Sequence, residues 1–384
     1  MSGRSKIILI LFAATFFSAG LASAGPAYTV TDIGCLPGDS GGEAVSINSS
    51  GQVVGTDNTP NGHGAGYLYS NGHMTNLGLL PGGTSCTPTG INAGGQVVGY
   101  ADDPGAPGGF FLYQNGTMNN LAGLPGAYSS AASGINAGGQ VVGVSSVNFR
   151  DQAFLYSNGT MTNLTALSGV VGDATAINDG GQVVGFAELN GNVNGTLHAF
   201  NFTTKTDIGT FGGQNSVAYG INASGQFVGY ADTTAGGWHP YVYANGQMTD
   251  LGSFDSAWPN GVAASINTAG QIVGYMENGT TLAEHAFLYS DGQMTNLNSL
   301  ISPTAGWTLE VANAINDSGQ IVGYGYAPDG HVESFLLTPV PEPSACALLG
   351  IAALSLLARA QGAVFDGRTA GVLRRRSMAW PTRP

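Results

Sequence analysis

Hydrophobic and polar residues follow one another in this chain in a short pattern that occurs seven times. The pattern is Ile-Asn-x-x-Gly-Gln-x-Val-Gly, and its copies begin at Ile47, Ile91, Ile135, Ile177, Ile221, Ile266 and Ile315. Successive copies start 42 to 49 residues apart, which is the length of one supersecondary unit in a repeat protein. Such a unit cannot bury its apolar face alone and stacks on copies of itself. The sequence therefore predicts a repeat array.

Each unit is predicted to contain four strands separated by turns. A short strand of small residues, such as Ala131 to Asn136, leads into Asn-x-x-Gly, which suits a type I turn. A valine-rich second strand and an aromatic third strand such as Phe154-Leu155-Tyr156 follow. In five units the third and fourth strands are joined by Asn-Gly or Asp-Gly, the strongest short hairpin signal. Four antiparallel strands in about 44 residues are typical of a β-propeller blade.

The last unit predicts how the ring closes. It ends after its third strand, Phe335 to Leu337, whereas the chain opens with a segment resembling a fourth strand, Tyr28 to Gly34. We therefore predict an all-β, seven-bladed β-propeller of four-stranded blades over residues 28–338, closed by the N-terminal strand completing the last blade. Closure pairs two otherwise free sheet edges. A β-helix, whose coils also repeat, is the structural alternative.

The beginning of the chain predicts export. Residues 1–24 combine a basic start with an apolar stretch from Ile7 to Phe17 and end in Ala22-Ser23-Ala24. This arrangement predicts a secretory signal peptide that is cut after Ala24.

The end of the chain carries a second targeting pattern. Pro341, Glu342 and Pro343 precede an apolar run from Ala345 to Ala358, which is short for a membrane-spanning helix. Residues 340–359 resemble the PEP-CTERM sorting signal of exported bacterial proteins, although only Arg359 adjoins the apolar run. The resemblance implies transient membrane anchoring and processing by an exosortase-type protease. Residues 360–384 form a basic tail that is expected to be disordered.

The repeat itself resembles the HAF family of extracellular repeat proteins, named for a His-Ala-Phe segment. That segment occurs as His198-Ala199-Phe200 and His285-Ala286-Phe287, with His239-Pro240-Tyr241 as a variant. The resemblance covers Tyr28 to Leu337 and implies export and a repeat scaffold, with no catalytic residue to carry over. We expect a non-catalytic binding or structural scaffold at the bacterial cell surface or in the extracellular matrix, with exopolysaccharide as the candidate ligand.

The charge of the array restricts its partners. Between Gly25 and Val340 there are 2 Lys and Arg against 21 Asp and Glu, a net charge of 2 − 21 = −19. Neutralising phosphates requires clustered Lys and Arg, so nucleic acid is not an expected partner. Cationic surfaces or divalent ions fit the charge better, and the simplest interpretation of it is solubility.

A candidate ligand-binding surface follows from the predicted topology. The second-to-third and fourth-to-first connections share one side of the ring, here called the loop face, and the other two kinds of turn share the turn face. The loop face holds the variable loops and three of the four tryptophans, Trp238, Trp258 and Trp307. Aromatic rings pack on the C–H faces of sugars, and the nearby Asp255 could accept hydrogen bonds from the sugar hydroxyl groups. The alternative is that these rings fix long loops to the blades.

Other polar residues have structural explanations at least as good as functional ones. Cys35 and Cys86 lie in two predicted crossovers and either form a disulfide, as exported proteins allow, or stay free. His198, His239 and His285 occupy one repeat position far from the axis, so we expect no metal site. The glutamine of each repeat is expected to form blade-to-blade hydrogen bonds: Gln52, Gln96, Gln140, Gln182, Gln226, Gln271 and Gln320.

The competing functional class is a propeller-type hydrolase or lyase acting on extracellular glycans. Gly38 to Gly42 spells a serine-protease signature, but no histidine precedes Ser40 as that family requires. First strands such as Ala44-Val45-Ser46 bring small residues to the axis, so a metal site would need loop acids: Asp102, Asp173, Asp232, Glu284 and Asp329. We predict no enzyme, no catalytic residue and no cofactor.

Overall fold

The computed structural model describes residues 27–102, 109–165, 171–188 and 196–341. These residues form seven four-stranded antiparallel sheets, which are the predicted blades. The predicted signal peptide, most of the predicted sorting segment and the tail of residues 360–384 lie outside the described residues. Within the described ranges, no helix is long and apolar enough to cross a membrane.

The strands are numbered in chain order and given blade by blade. β1 (Tyr28–Asp32) belongs to the last blade. Blade 1 contains β2 (Ser40–Ile47), β3 (Val53–Asn58), β4 (Gly64–Ser70) and β5 (His73–Asn76). Blade 2 contains β6 (Cys86–Ile91), β7 (Val97–Ala101), β8 (Gly109–Gln114) and β9 (Thr117–Ala122). Blade 3 contains β10 (Ala127–Ile135), β11 (Val141–Val147), β12 (Arg150–Ser157) and β13 (Thr160–Asn163).

The remaining blades follow the same plan. Blade 4 contains β14 (Val171–Ile177), β15 (Val183–Glu188), β16 (Leu197–Asn201) and β17 (Thr206–Asp207). Blade 5 contains β18 (Gly212–Ile221), β19 (Phe227–Thr233), β20 (Trp238–Ala244) and β21 (Gln247–Asp250). Blade 6 contains β22 (Asn260–Ile266), β23 (Ile272–Glu277), β24 (Glu284–Ser290) and β25 (Gln293–Asn296). Two 3₁₀ turns, Leu297–Ser299 and Pro303–Ala305, lead to blade 7, with β26 (Thr308–Ile315), β27 (Ile321–Tyr326) and β28 (Val332–Pro339).

The ring closes as the sequence predicts. β1 pairs antiparallel with β28, and Thr29 lies opposite Thr338 and Val30 opposite Leu337. The sheet order is therefore β1-β28-β27-β26, with the N-terminal strand outermost. Each blade is a separate antiparallel sheet, so the β-helix alternative is wrong.

The core of each blade depends on an aromatic residue packed against a glycine. The Gly of each Val-Gly pair in the second strand lies opposite an aromatic residue of the third strand, as Gly229 does to Tyr241. A Cβ atom on Gly229 would lie 1.8 Å from the carbonyl oxygen of Val217 in the first strand. A side chain does not fit this gap, because the backbone of the first strand approaches the glycine closely.

A continuous ring of hydrogen bonds joins the blades on the turn face. The turn asparagine of each repeat is buried and donates from Nδ2 to the backbone carbonyl of the turn asparagine in the next blade. The donor–acceptor pairs are Asn48–Asn92, Asn92–Asn136, Asn136–Asn178, Asn178–Asn222, Asn222–Asn267, Asn267–Asn316 and Asn316–Asn48. The last pair closes the circle.

The glutamines have a different role from the one expected. Gln96 Oε1 accepts a hydrogen bond from Nδ2 of Asn92 in its own repeat at 2.7 Å, and its backbone N–H donates to Asn92 Oδ1 at 3.0 Å. The glutamine therefore orients the asparagine, and the asparagine forms the blade-to-blade bond. The expectation of blade-to-blade hydrogen bonds from the glutamines was wrong, because each such side-chain oxygen is engaged by the asparagine of its own repeat.

Candidate functional site

The central channel of the ring is shaped by one β-bulge per blade. In every first strand the pairing with the second strand skips one residue, at Val45, Thr89, Ser133, Thr175, Tyr219, Ala264 and Asn313. A bulge re-aims a side chain and increases the local twist. All seven of these residues line an axial cavity of about 590 Å³.

Three of the bulge residues are held by the neighbouring blade. Thr89 Oγ1 donates to the carbonyl oxygen of Ala132 at 2.8 Å, and Thr175 Oγ1 donates to that of Ala218 at 2.7 Å. Asn313 Nδ2 donates to the carbonyl oxygen of Ala44 at 2.9 Å. The channel wall is therefore fixed by contacts between blades as well as by the strands themselves.

The channel has two chemically different sides. Blades 2, 3 and 4 contribute the hydroxyl groups of Thr89, Ser133 and Thr175. On the opposite side, the lining includes Tyr219, Tyr275, Asn313 and Glu43. Hydroxyl, amide and carboxylate groups thus face one space with two phenol rings, and no Lys or Arg is among its lining residues.

Acidic groups cluster behind the tyrosine side. Burial raises the pKa of Glu284, and the nearby carboxylates of Glu310 and Glu277 raise it further. The Tyr324 hydroxyl donates a hydrogen bond to Glu284, which opposes that rise. Burial also raises the pKa of Tyr275 to about 12, so its phenol is protonated near neutral pH. This side of the channel disfavours an anionic ligand.

The first strands carry acidic residues as well as the small ones expected near the axis: Glu43 lies in β2, Asp173 in β14 and Glu310 in β26. Asp173 lies in a strand rather than a loop, and its Oδ1 is buried without a hydrogen-bond partner. Glu310 lies where a second bulge interrupts the pairing of β26, between Leu309 and Val311. Inspection of all seven first strands would have found the carboxyl groups, but not the bulges.

Of the five acids named as loop acids, Asp102 and Asp232 hold crossovers, Asp173 and Glu284 lie in strands, and Asp329 caps a local turn. Asp102 accepts hydrogen bonds from the backbone N–H groups of Thr84 and Ser85, and Asp232 accepts from that of Asn215. Asp57, which the sequence did not single out, holds Leu36 N–H in the same way at 2.6 Å. In the described part of the chain, no three His, Cys, Asp or Glu side chains are grouped so as to hold a metal ion.

The three loop-face tryptophans contact different partners. Trp258 stacks on His285 with ring centroids 4.5 Å apart, and its edge meets Phe254. Trp307 packs edge-on against Phe335 at 6.2 Å, and the backbone N–H of Trp238 donates to Asn260.

All three tryptophans are partly buried, whereas Asp255 is exposed and caps a local turn by accepting from Ala257 N–H. Trp258 and Trp307 therefore serve as packing residues for loops. The tryptophan surface stays a prediction.

The two cysteines form no disulfide. Cys35 Sγ donates to Glu333 Oε2 at 3.1 Å, whereas Cys86 is fully buried in the cluster that contains Leu77 and Phe111. Both thiols are free. Burial raises the pKa of each to about 12, so they behave as small apolar groups. The disulfide alternative is thus not supported, because crossovers adjacent in sequence occupy different blade interfaces.

The three equivalent histidines pair within their own blades. His198 Nδ1 lies 2.9 Å from Asp207, and His239 Nδ1 lies 2.8 Å from Asp250. His285 Nδ1 lies 3.0 Å from Asn296 Nδ2. In each case the partner comes from the adjacent fourth strand, so the histidines link the two outer strands of a blade.

Comparisons with known sequences assign no activity. The family model "Protein of unknown function (DUF3466)" matches residues 239–329, from the third strand of blade 5 into blade 7. This match covers less than half of the chain. No curated protein matches the sequence.

Solved structures with a similar fold are distant. A puromycin-hydrolysing peptidase of Mycobacterium tuberculosis aligns with 83% of this chain at 14% identity and a TM-score of 0.49, and the chain spans only 53% of it. A gluconolactonase of Xanthomonas campestris aligns with 84% of this chain and 93% of its own, at 11% identity and a TM-score of 0.39. TolB of Acinetobacter baumannii aligns with 79% of this chain and 65% of its own, at 13% identity and a TM-score of 0.38.

Proposed function

We propose that this propeller is an exported, non-catalytic binding scaffold of the bacterial cell surface or extracellular matrix, and that its axial channel binds an uncharged carbohydrate. The signal peptide and sorting segment predicted from the sequence support the location. The ligand class is inferred from the lining of the channel. Hydroxyl and amide groups share a cavity of about 590 Å³ with Tyr219 and Tyr275.

This lining suits the chemistry of sugars. A pyranose ring presents C–H groups that pack on an aromatic face, and hydroxyl groups that need several donors and acceptors. Tyr219 and Tyr275 supply the rings, whereas Thr89, Ser133 and Asn313 supply polar groups. A cavity of this volume is within the range of small-ligand sites.

Charge favours an uncharged sugar over an anionic one at this site. Glu43 lines the channel, and Glu284 and Glu310 lie in the acidic cluster behind it. A carboxylate-bearing ligand would meet like charges, which raise the free energy of binding.

A plugged channel tests the proposal. Ser133→Trp places a large ring on a bulge residue that points into the cavity, so it should abolish calorimetric binding of an uncharged exopolysaccharide fragment. Tyr219→Phe, which keeps the ring and removes only the hydroxyl, is expected to weaken binding roughly tenfold.

The same titration separates the channel from the tryptophan surface. Ligand in the channel leaves the partly buried Trp258 and Trp307 in their packed positions, so tryptophan fluorescence should not change. Unaltered binding by a folded Ser133→Trp variant would refute the channel site, and a large fluorescence change would favour the tryptophan surface instead.

A further inference from the structure

An aromatic side chain stands at the tip of the hairpin between β11 and β12, on the loop face of blade 3. The two turn residues, Asn148 and Phe149, have φ values of 52° and 61°. A two-residue turn with both φ angles positive is type I′, where the second residue is normally glycine. Phenylalanine is unfavourable there, because its side chain crowds the backbone at positive φ.

The Phe149 ring faces solvent together with a second aromatic ring. Phe149 is 94% exposed and Tyr128 is 51% exposed. Their ring centroids lie 5.7 Å apart. Folding does not explain this exposed aromatic pair, because the rings are not buried and so do not compensate for the backbone strain of the turn. A role in binding would explain it.

A separate irregularity directs Tyr128 toward this pair. The pairing of β10 with β11 skips Tyr128, between Ala127 and Ser129. Bulges of this kind change the direction of a side chain. Two independent departures from regular geometry, one in the turn and one in the strand beside it, therefore bring the two rings together.

A basic residue follows the turn in the chain. Arg150 directly follows Phe149 and is exposed. The array holds only one other Lys or Arg, Lys205, which lies between β16 and β17 on the turn face. The neighbouring carboxylate of Asp151 accepts a hydrogen bond from Ser146 Oγ at 2.5 Å. Successive residues of a strand point to opposite sides, so Asp151 and Arg150 face different surroundings.

We propose that Tyr128, Phe149 and Arg150 form a binding site for an acidic sugar residue, a hexuronate in a polysaccharide chain. The apolar face of the sugar packs on the aromatic pair, and its carboxylate pairs with the guanidinium group. This site differs from the channel, whose lining residues include Glu43 and no Lys or Arg. The two sites thus select sugars of different charge.

The test uses a strain-relieving substitution. Phe149→Gly restores the residue that a type I′ turn favours, so the thermal unfolding midpoint should rise while binding of an oligogalacturonate, measured by calorimetry, weakens roughly tenfold. Arg150→Gln should weaken binding of this probe by a similar factor and reduce its dependence on salt. An uncharged glucose oligomer of equal length should not respond to Arg150→Gln.

Leu282→Gly is the matched control. Leu282 has a φ of 58°, is 69% exposed and lies in the second-to-third loop of blade 6 on the same face. This substitution should also raise the unfolding midpoint, but leave oligogalacturonate affinity unchanged. Equal affinity of the wild type and Phe149→Gly, or no oligogalacturonate binding by the folded wild type, would overturn the acidic-sugar site. The channel proposal is judged separately by Ser133→Trp.

Discussion

At the residue scale, the hydroxyl groups of two tyrosines show how one repeat position adapts to its neighbour. Five blades have phenylalanine opposite the second-strand glycine, whereas blades 1 and 5 have Tyr67 and Tyr241. Tyr67 Oη donates to Ser334 Oγ of blade 7 at 2.9 Å. Tyr241 Oη is buried without a hydrogen-bond partner, because the blade that precedes it has Ala199 where blade 7 has Ser334. An unpartnered buried hydroxyl is destabilising.

These two positions predict opposite effects of the same substitution. Tyr67→Phe should lower the free energy of unfolding by about 1 kcal/mol, because it removes a buried hydrogen bond and leaves Ser334 without its donor. Tyr241→Phe should leave stability unchanged or raise it by a similar amount, since it removes an unsatisfied group. Denaturant unfolding of both variants measures the difference. A loss of stability in Tyr241→Phe would imply a buried water bound to that hydroxyl.

At the element scale, the Asn-x-x-Gly turn combines two tasks. Within its repeat, Asn92 Oδ1 accepts from Gln96 N–H, which closes the turn. Across the blade boundary, Asn92 Nδ2 donates to the carbonyl oxygen of Asn136 at 3.0 Å. The side chain is only 4% exposed, so each of these bonds is protected from water. One side chain thus sets both the turn and the spacing of adjacent blades.

Removal of one turn asparagine should therefore affect the whole ring. Asn92→Ala is expected to reduce the free energy of unfolding by roughly 3 kcal/mol, because about three hydrogen bonds are lost and the Asn136 carbonyl keeps only the bond from Gly139 N–H. Ala93→Ser, in the exposed middle of the same turn, should change stability by less than about 0.5 kcal/mol. Chemical denaturation compares them. Equal small effects would contradict a structural role for the asparagine circle.

At the scale of the whole molecule, the propeller combines a closed ring with an excess of negative charge and several buried carboxyl groups. Burial raises the pKa of Asp57 to about 6 and, together with the nearby Asp151, that of Asp173 to about 7. Both groups bind protons more tightly in the folded state than in the unfolded chain. Their stabilising contribution is present at low pH and is lost as pH rises through the folded-state values.

The thermal unfolding midpoint should consequently rise on mild acidification, from about pH 8 to about pH 5. Asp173→Asn should reduce this dependence, because an amide does not ionise between those values. The exposed Asp255→Asn is the control for the change in net charge alone. The prediction is contradicted if the midpoint falls on acidification, or if the two variants show the same pH dependence. Either result would show that ionised Asp173 does not destabilise the folded protein.

The sequence by itself determined the repeat, the strand count, most turn types and the closure of the ring by Tyr28–Asp32. These features follow from local rules, since Asn-Gly turns, Val-Gly pairs and strand alternation each act over a few residues. The export signals, the absence of catalysis and the exopolysaccharide ligand stay predictions. Only the tertiary structure decided which residues face the axis and which meet across blades. Those contacts depend on bulges that curve each first strand, and on partners such as Tyr67 and Ser334 that are distant in sequence.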